Sequence, residues 1–227
     1  MNKIKSPGSK AKLVAMILIS LSLSLQSCGQ KTETKKISKD KTDQTMNNEN
    51  LETITLAGGC YWCIEAIYQR LDGVVKVESG FSGGRMKKPS YRDVCTGETG
   101  HAECVQVTFD KTKTSLDEVF KVFFTVHDPT TLNRQGADEG TQYRSAIFYR
   151  TDEQKKAAES IIADLTKAGV YSNPIVTEVT PFTVFYKAED YHQDYYNQHG
   201  SQPYCQIVIR PKLEKFEKVF KDRLKKD

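Results

Sequence analysis

The stretch Gly58-Gly59-Cys60-Tyr61-Trp62-Cys63 holds the most reactive set of side chains in this 227-residue sequence. Cys60 follows a glycine turn and opens a run with helical periodicity, so it meets unpaired N–H groups and the positive end of a helix dipole. Both favour thiolate over thiol, and the thiolate is the reactive species. The glycines let backbone and substrate approach closely. Tyr61 and Trp62, if exposed, make an aromatic wall suited to a methyl-thioether group through sulfur–aromatic contact. Read alone, the stretch fits a buried cysteine beside core aromatics equally well. Cys60 and Cys63 can also close a disulfide, as Cys-x-x-Cys pairs at helix starts do. A zinc site would need a second Cys/His pair at matching spacing, and the sequence has none. His101, His127, His192 and His199 are scattered and read as hydrogen-bonding or surface histidines. No metal and no bound organic cofactor is expected.

Other segments give Cys60 a context. Gly97-Glu98-Thr99-Gly100-His101-Ala102-Glu103 puts a carboxyl group where a loop enters a strand. Gly136-Ala137-Asp138-Glu139-Gly140-Thr141-Gln142-Tyr143-Arg144-Ser145 is a polar loop that also leads into a strand, and Tyr91 lies between the Cys60 stretch and the first of these segments. His127-Asp128-Pro129-Thr130-Thr131 and Tyr191-His192-Gln193-Asp194-Tyr195 complete the set. In order and spacing, from about Thr55 to Pro211, these motifs resemble the methionine sulfoxide reductase family of the A type.

The resemblance implies a role for each position. Cys60 attacks the sulfoxide sulfur and Glu103 donates a proton to the sulfoxide oxygen. Tyr91 and Tyr143 hydrogen-bond to that oxygen, Asp138 positions substrate and neighbouring groups, and Tyr61 with Trp62 holds the ε-methyl. A sulfoxide is a poor electrophile until its oxygen is protonated, because that oxygen must leave as water. General-acid help of this kind contributes ~10²–10⁴-fold in rate, so Glu103 should carry a raised pKa. Attack leaves Cys60 as a sulfenic acid, which condenses with a second thiol. Cys205 occupies the place of a C-terminal recycling cysteine in the family. Cys63 is its rival, standing where the commonest family pattern has glycine. Cys95 and Cys104 read as small, buried, structural cysteines, with Cys104 on the strand face opposite Glu103. The resemblance further implies the S-epimer of methionine sulfoxide as substrate, free or in oxidised proteins, and a dithiol donor of the thioredoxin type.

These side chains need elements to hold them. Ile54 and Leu56 alternate with threonines, a strand signal, and Gly58-Gly59 ends it. A helix is expected over 60–71, with Ile64, Ile67 and Leu71 on one face. A strand over 74–77, a Gly/Ser/Pro-rich loop over 79–90 and a strand over 103–109 follow. Ser115 with Glu118 forms a capping box for a helix through Val126. A strand over 143–149 precedes a second such signature, Thr151 with Gln154, whose helix ends at Gly169. Strands over 175–179 and 182–186 come next, and Pro211 opens a last helix lined by Leu213, Phe216 and Phe220. The pattern indicates one α+β domain, residues 51–227, with a mixed sheet flanked by helices; the family resemblance implies a ferredoxin-like core.

The beginning of the sequence reads differently. Lys3, Lys5, Lys10 and Lys12 precede an apolar run from Leu13 to Leu25, which is shorter than the roughly 20 residues of a bilayer span. This is the pattern of an export signal over 1–27. Leu25-Gln26-Ser27-Cys28-Gly29 resembles a lipobox, implying a lipid on Cys28 and a bacterial membrane-anchored lipoprotein facing the periplasm or the cell surface. Residues 28–50 are polar and read as a disordered tether. Residues 1–50 contain nine lysines against four acidic residues, for a net charge of +5, while the remaining 24 basic and 25 acidic groups give −1. The folded part thus lacks the basic patch that nucleic-acid binding requires. Nothing indicates an obligate assembly, and a monomer is expected. A general thiol–disulfide oxidoreductase using Cys60 and Cys63 is the alternative enzyme, but it gives Glu103, Tyr91 and Tyr143 no task. A tethered binding module presenting Tyr61 and Trp62 gives them none either.

Overall fold

A computed structural model describes residues 48–226, which form one compact unit. The export signal, Cys28 and nearly all of the tether lie outside the described residues. In chain order the elements are β1 (Leu51–Gly58), α1 (Tyr61–Tyr68), β2 (Val74–Ser82), α2 (Tyr91–Cys95), β3 (Ala102–Asp110) and α3 (Leu116–Val126). They continue with β4 (Arg134–Gln135), β5 (Asp138–Glu139), β6 (Ser145–Tyr149), α4 (Asp152–Lys167), β7 (Glu178–Pro181), β8 (Phe185–Lys187), α5 (Tyr195–His199) and α6 (Arg210–Val219).

Six strands form one sheet in the order β7-β6-β1-β3-β2-β8. The inner four, β6-β1-β3-β2, are antiparallel throughout. With α1 and α3 as crossovers they make the β-α-β-β-α-β unit of a ferredoxin-like core. A parallel β7 and an antiparallel β8 extend its edges, so the sheet is mixed and the domain α+β. The hairpin β4–β5 stands apart.

The main core fills the space between the sheet and the helices, with Ile54, Leu56, Ile64, Ile67, Phe120, Phe123 and Phe216 fully or almost fully buried. Ala57, Ala102, Cys104, Ala146 and Phe148 form a smaller cluster. Cys104 therefore packs apart from its neighbour Glu103, as strand alternation requires.

Several boundaries differ from the sequence reading. β2 runs on through Ser79, Gly80 and Ser82, residues whose composition suggested a loop. A Cβ on Gly80 would sit 2.4 Å from the Tyr186 carbonyl and the Phe185 ring, so the glycine is what admits β8 against this strand. α1 stops at Tyr68 because Leu71 leaves the helix to bridge with Leu224. α2 was missed, although Ser90 and Asp93 form a complete capping box at its start. At the other two signatures the box is half formed. Ser115 and Thr151 accept the expected amides, but Glu118 pairs with Arg223, and Gln154 bonds to Arg150, Glu52 and Thr53. Tertiary partners outcompeted the local ones.

Candidate active site

Cys60 is the N-cap of α1 and is 6% exposed. The turn before it is enforced by Gly59, whose φ of +88° suits glycine and whose Cβ would lie 2.6 Å from the Gln135 side chain. Cys63 sits one turn on, its N–H bonded to the Cys60 carbonyl at 3.1 Å. β3 brings Glu103 under the same helix start. There its Oε2 accepts the N–H of Tyr61 at 3.2 Å. One of the unpaired amides at the head of α1 is thus satisfied by the carboxyl group itself.

The electrostatics divide the site. Burial raises Glu103 to about 8, reinforced by Asp138 and Cys63 and opposed by the Tyr61 amide, so it is protonated at neutral pH. Burial also pushes the Cys60 thiol well above its ordinary value, with Cys63 and Glu103 adding to the effect. This corrects the expectation of a thiolate at Cys60. The helix start is where the sequence placed it, but the sulfur is nearly closed off from water, and desolvation is the largest influence on its thiol. Cys63 is shifted the other way, its pKa lowered to about 7 through a hydrogen bond from Cys60 and the nearby Lys212 ammonium, against the effect of burial.

The other expected residues converge to different degrees. Tyr143, in a 3₁₀ turn over Thr141–Tyr143, faces Glu103 and Cys60, and burial keeps it protonated. Tyr91, first residue of α2, faces Glu103 and Tyr143, and is also held protonated by burial. Its N–H is bonded to Glu189 at 3.0 Å. Asp138, on β5, accepts the Tyr204 hydroxyl at 2.9 Å. Tyr61 is fully buried, packed on Phe81 and His192, and so does not form an exposed wall. The half-buried Trp62 stacks on Tyr195 with ring centroids 3.7 Å apart and meets Tyr204 edge-on at 6.0 Å. Cys205 is buried in a π-helical turn, Cys205–Ile209, where burial raises its thiol and Cys63 adds to the effect. Cys95 is exposed at the end of α2, contrary to the reading of it as buried, because a short capped helix carries it out of the core.

The Glu103 carboxyl accepts the amide that follows Cys60, and Tyr91 and Tyr143 lie within its electrostatic reach. The profile of the peptide methionine sulfoxide reductase family matches residues 52–224. The chain belongs to this family. The peptide methionine sulfoxide reductase MsrA of Saccharolobus solfataricus is 54% identical over 175 residues, covering 77% of this chain and 98% of that protein. That of Trichodesmium erythraeum is 51% identical over 174 residues, covering 77% and 98%. Among solved structures, reduced Mxr1 from Saccharomyces cerevisiae aligns with a TM-score of 0.64 at 35% identity, covering 70% of this chain and 91% of that one. Methionine sulfoxide reductase A of Corynebacterium diphtheriae aligns with a TM-score of 0.60 at 38% identity, covering 66% and 76%. The protein is accordingly a peptide methionine sulfoxide reductase, and the general oxidoreductase reading falls away.

Three residues packed around these positions have no role in the sequence expectations. Tyr204 directs its hydroxyl to Asp138 and faces Cys60. Lys212 donates to the Cys63 sulfur at 3.5 Å. His192 is buried between Trp62, Tyr61 and Tyr91, with no hydrogen-bond partner on either ring nitrogen among the described residues. It is neither a surface nor a hydrogen-bonded histidine; His101 and His127 do make the expected hydrogen bonds. Tyr204 offered one signal, its place next to Cys205. For Lys212 there was none.

Proposed function

We propose that the chain reduces the S-epimer of methionine sulfoxide, free and in oxidised proteins, through a sulfenic acid on Cys60. The observation that carries the reading is the buried, protonated Glu103 at the start of the helix that Cys60 caps. The Cys60 thiol gives its proton to the Cys63 thiolate as its sulfur attacks the sulfoxide sulfur. Glu103 protonates the departing oxygen, and Tyr91 and Tyr143 steady it as neutral hydrogen-bond donors. The oxygen passes to Cys60 and methionine is released. Trp62, stacked on Tyr195, offers the methyl group an aromatic face, while Asp138 fixes Tyr204 against the cysteines.

The first disulfide forms between Cys60 and Cys63, which are one helical turn apart, with Cys63 titrating near neutrality. Cys205, buried in the turn ahead of α6, exchanges with that disulfide next. A dithiol donor of the thioredoxin type then reduces the enzyme. The enzyme acts as a monomer, held by a lipid on Cys28 at the periplasmic or outer face of a bacterial membrane. The lysine-rich start, the apolar run and the lipobox-like residues before Cys28 support this placement.

Disulfide mapping by mass spectrometry after one turnover without reductant tests the assignment. A Cys60–Cys63 bridge, or a Cys63–Cys205 bridge succeeding it, is the expected product. A Cys60–Cys205 bridge that forms with Cys63 remaining reduced overturns the order. Incorporation of labelled fatty acid at the mature N-terminus tests the anchor.

A further inference from the structure

We propose that Lys212 is a positioning residue for the recycling half of the reaction: its ammonium makes Cys63 the nucleophile that attacks oxidised Cys60. The inference rests on Cys63 forming the first disulfide.

The geometry begins with α6. Pro211 lies in its first turn, and Leu213 and Phe216 are buried in the main core, which fixes the turn between them. Lys212, half-buried, is thereby directed at α1, and its Nζ stands 3.5 Å from the Cys63 sulfur across 149 positions of sequence. Its other surroundings form a cavity of about 600 Å³ lined by His127, Asp128, Gln135 and Lys215, among others. His127 is neutral, its ring held by the Phe123 carbonyl and Ser145 and its pKa lowered by burial to about 4. Lys212 is therefore the cation that bonds to the Cys63 sulfur.

The remaining groups around Cys63 act the other way or are shared. Cys60 lies before α1, Glu103 on β3 and Asp138 on β5, and Tyr204 and Cys205 enter from the turn ahead of α6. Burial and Asp138 push the Cys63 thiol up; the Cys60 hydrogen bond and Lys212 bring it down. Once Cys60 carries oxygen its thiol hydrogen is gone. At that stage a hydroxyl whose oxygen must leave has replaced that donor, while the ammonium stays against the Cys63 sulfur, and this is the stage at which Cys63 must attack.

In that step the Cys63 thiolate gives an electron pair to the Cys60 sulfur, and an S–S bond forms as the S–O bond breaks. The oxygen leaves as water, with its own hydrogen and one proton from Glu103, which is reprotonated from solvent. Cys63 is oxidised and Cys60 reduced, so no outside oxidant or reductant is needed.

The test follows disulfide formation in the full-length enzyme after one equivalent of a methionine sulfoxide peptide, without reductant, by quenching with an alkylating agent between pH 6 and 10. Raising a thiol's pKa lowers its thiolate fraction faster than it raises the nucleophilicity of each thiolate. Lys212→Met should therefore slow the Cys60–Cys63 bridge about five-fold at pH 7, and the deficit should vanish above about pH 9. Lys212→Arg should restore the neutral rate. A Lys212→Met enzyme that bridges at the wild-type rate at pH 7, or that is slowed equally at every pH, overturns the proposal. A wild-type enzyme that never forms the Cys60–Cys63 bridge instead overturns the order of thiols on which it rests.

Discussion

Cys60 stands between two flanks of opposite character. On the side of β3 it faces proton donors, with Glu103 held protonated up to about 8 and Tyr91 and Tyr143 kept neutral. On the side of α6 it faces Cys63, whose proton is already loosened to about 7 beside the Lys212 ammonium. Burial acts on both flanks, yet the partners decide its outcome. Glu103 has one amide and two acidic neighbours, and burial prevails. Cys63 has a thiol donor and a cation, and burial is outweighed. The contrast matches the two half-reactions. In the proposed mechanism, oxygen leaves towards the donors, and the second sulfur attacks from the side that stabilises a thiolate.

Replacing the shared sulfur has the largest expected effect. Cys60→Ser should abolish methionine formation while leaving the circular dichroism spectrum and melting curve intact; appreciable residual reduction of a methyl sulfoxide would remove Cys60 from the centre of the comparison.

The donor flank is the next target. Glu103→Gln should slow single-turnover methionine release by ~10²–10⁴-fold. In the wild-type enzyme that step should weaken as pH rises through about 8, where Glu103 loses its proton, while the disulfide step strengthens as pH rises through about 7. Turnover should peak between those values, and a plateau extending to pH 9.5 would contradict the acid role. The same carboxyl group links the fold to pH. Its pKa is raised on folding from 4.5 to about 8, so the stability associated with it is complete at low pH and is lost as pH climbs across that window. Glu103→Gln should flatten that decline in denaturant titrations.

Two further substitutions ask whether the flanks depend on the scaffold. Phe123 is fully buried on α3, and its ring lies 3.0 Å from where a Cβ on Gly58 would be. Phe123→Ala should cost about 3–5 kcal/mol of stability and loosen the turn that presents Cys60. A loss below 1 kcal/mol would show that this packing does not support the turn. The smallest effect is expected far from the site, where Thr151 caps α4. Thr151→Ala should cost about 1 kcal/mol without shifting the pH profile, and a shifted profile would mean that the flanks are not local.

The legible parts of the molecule were those with local causes. Cys60 at a helix start, the caps at Ser115 and Thr151, and the opposite faces of Glu103 and Cys104 all follow from neighbours a few positions apart. The illegible parts depended on distant groups. β2 was cut short because the glycine that weakens an isolated strand also admits β8. Tyr61 passed for an exposed aromatic because nothing adjacent announces Phe81 and His192 packed on its ring.

By itself, then, the sequence determined the α+β framework and the place of Cys60 at a helix start, because those depend on residue type, spacing and short-range periodicity, and its motifs, through a family resemblance, pointed to Glu103 as the carboxyl group to look for. The tertiary structure decided the opposite shifts of the two thiols, Cys60 upward and Cys63 downward. Helix dipoles are written in sequence, whereas desolvation and a lysine contact across 149 positions exist only once the core has closed around Cys60 and Cys63.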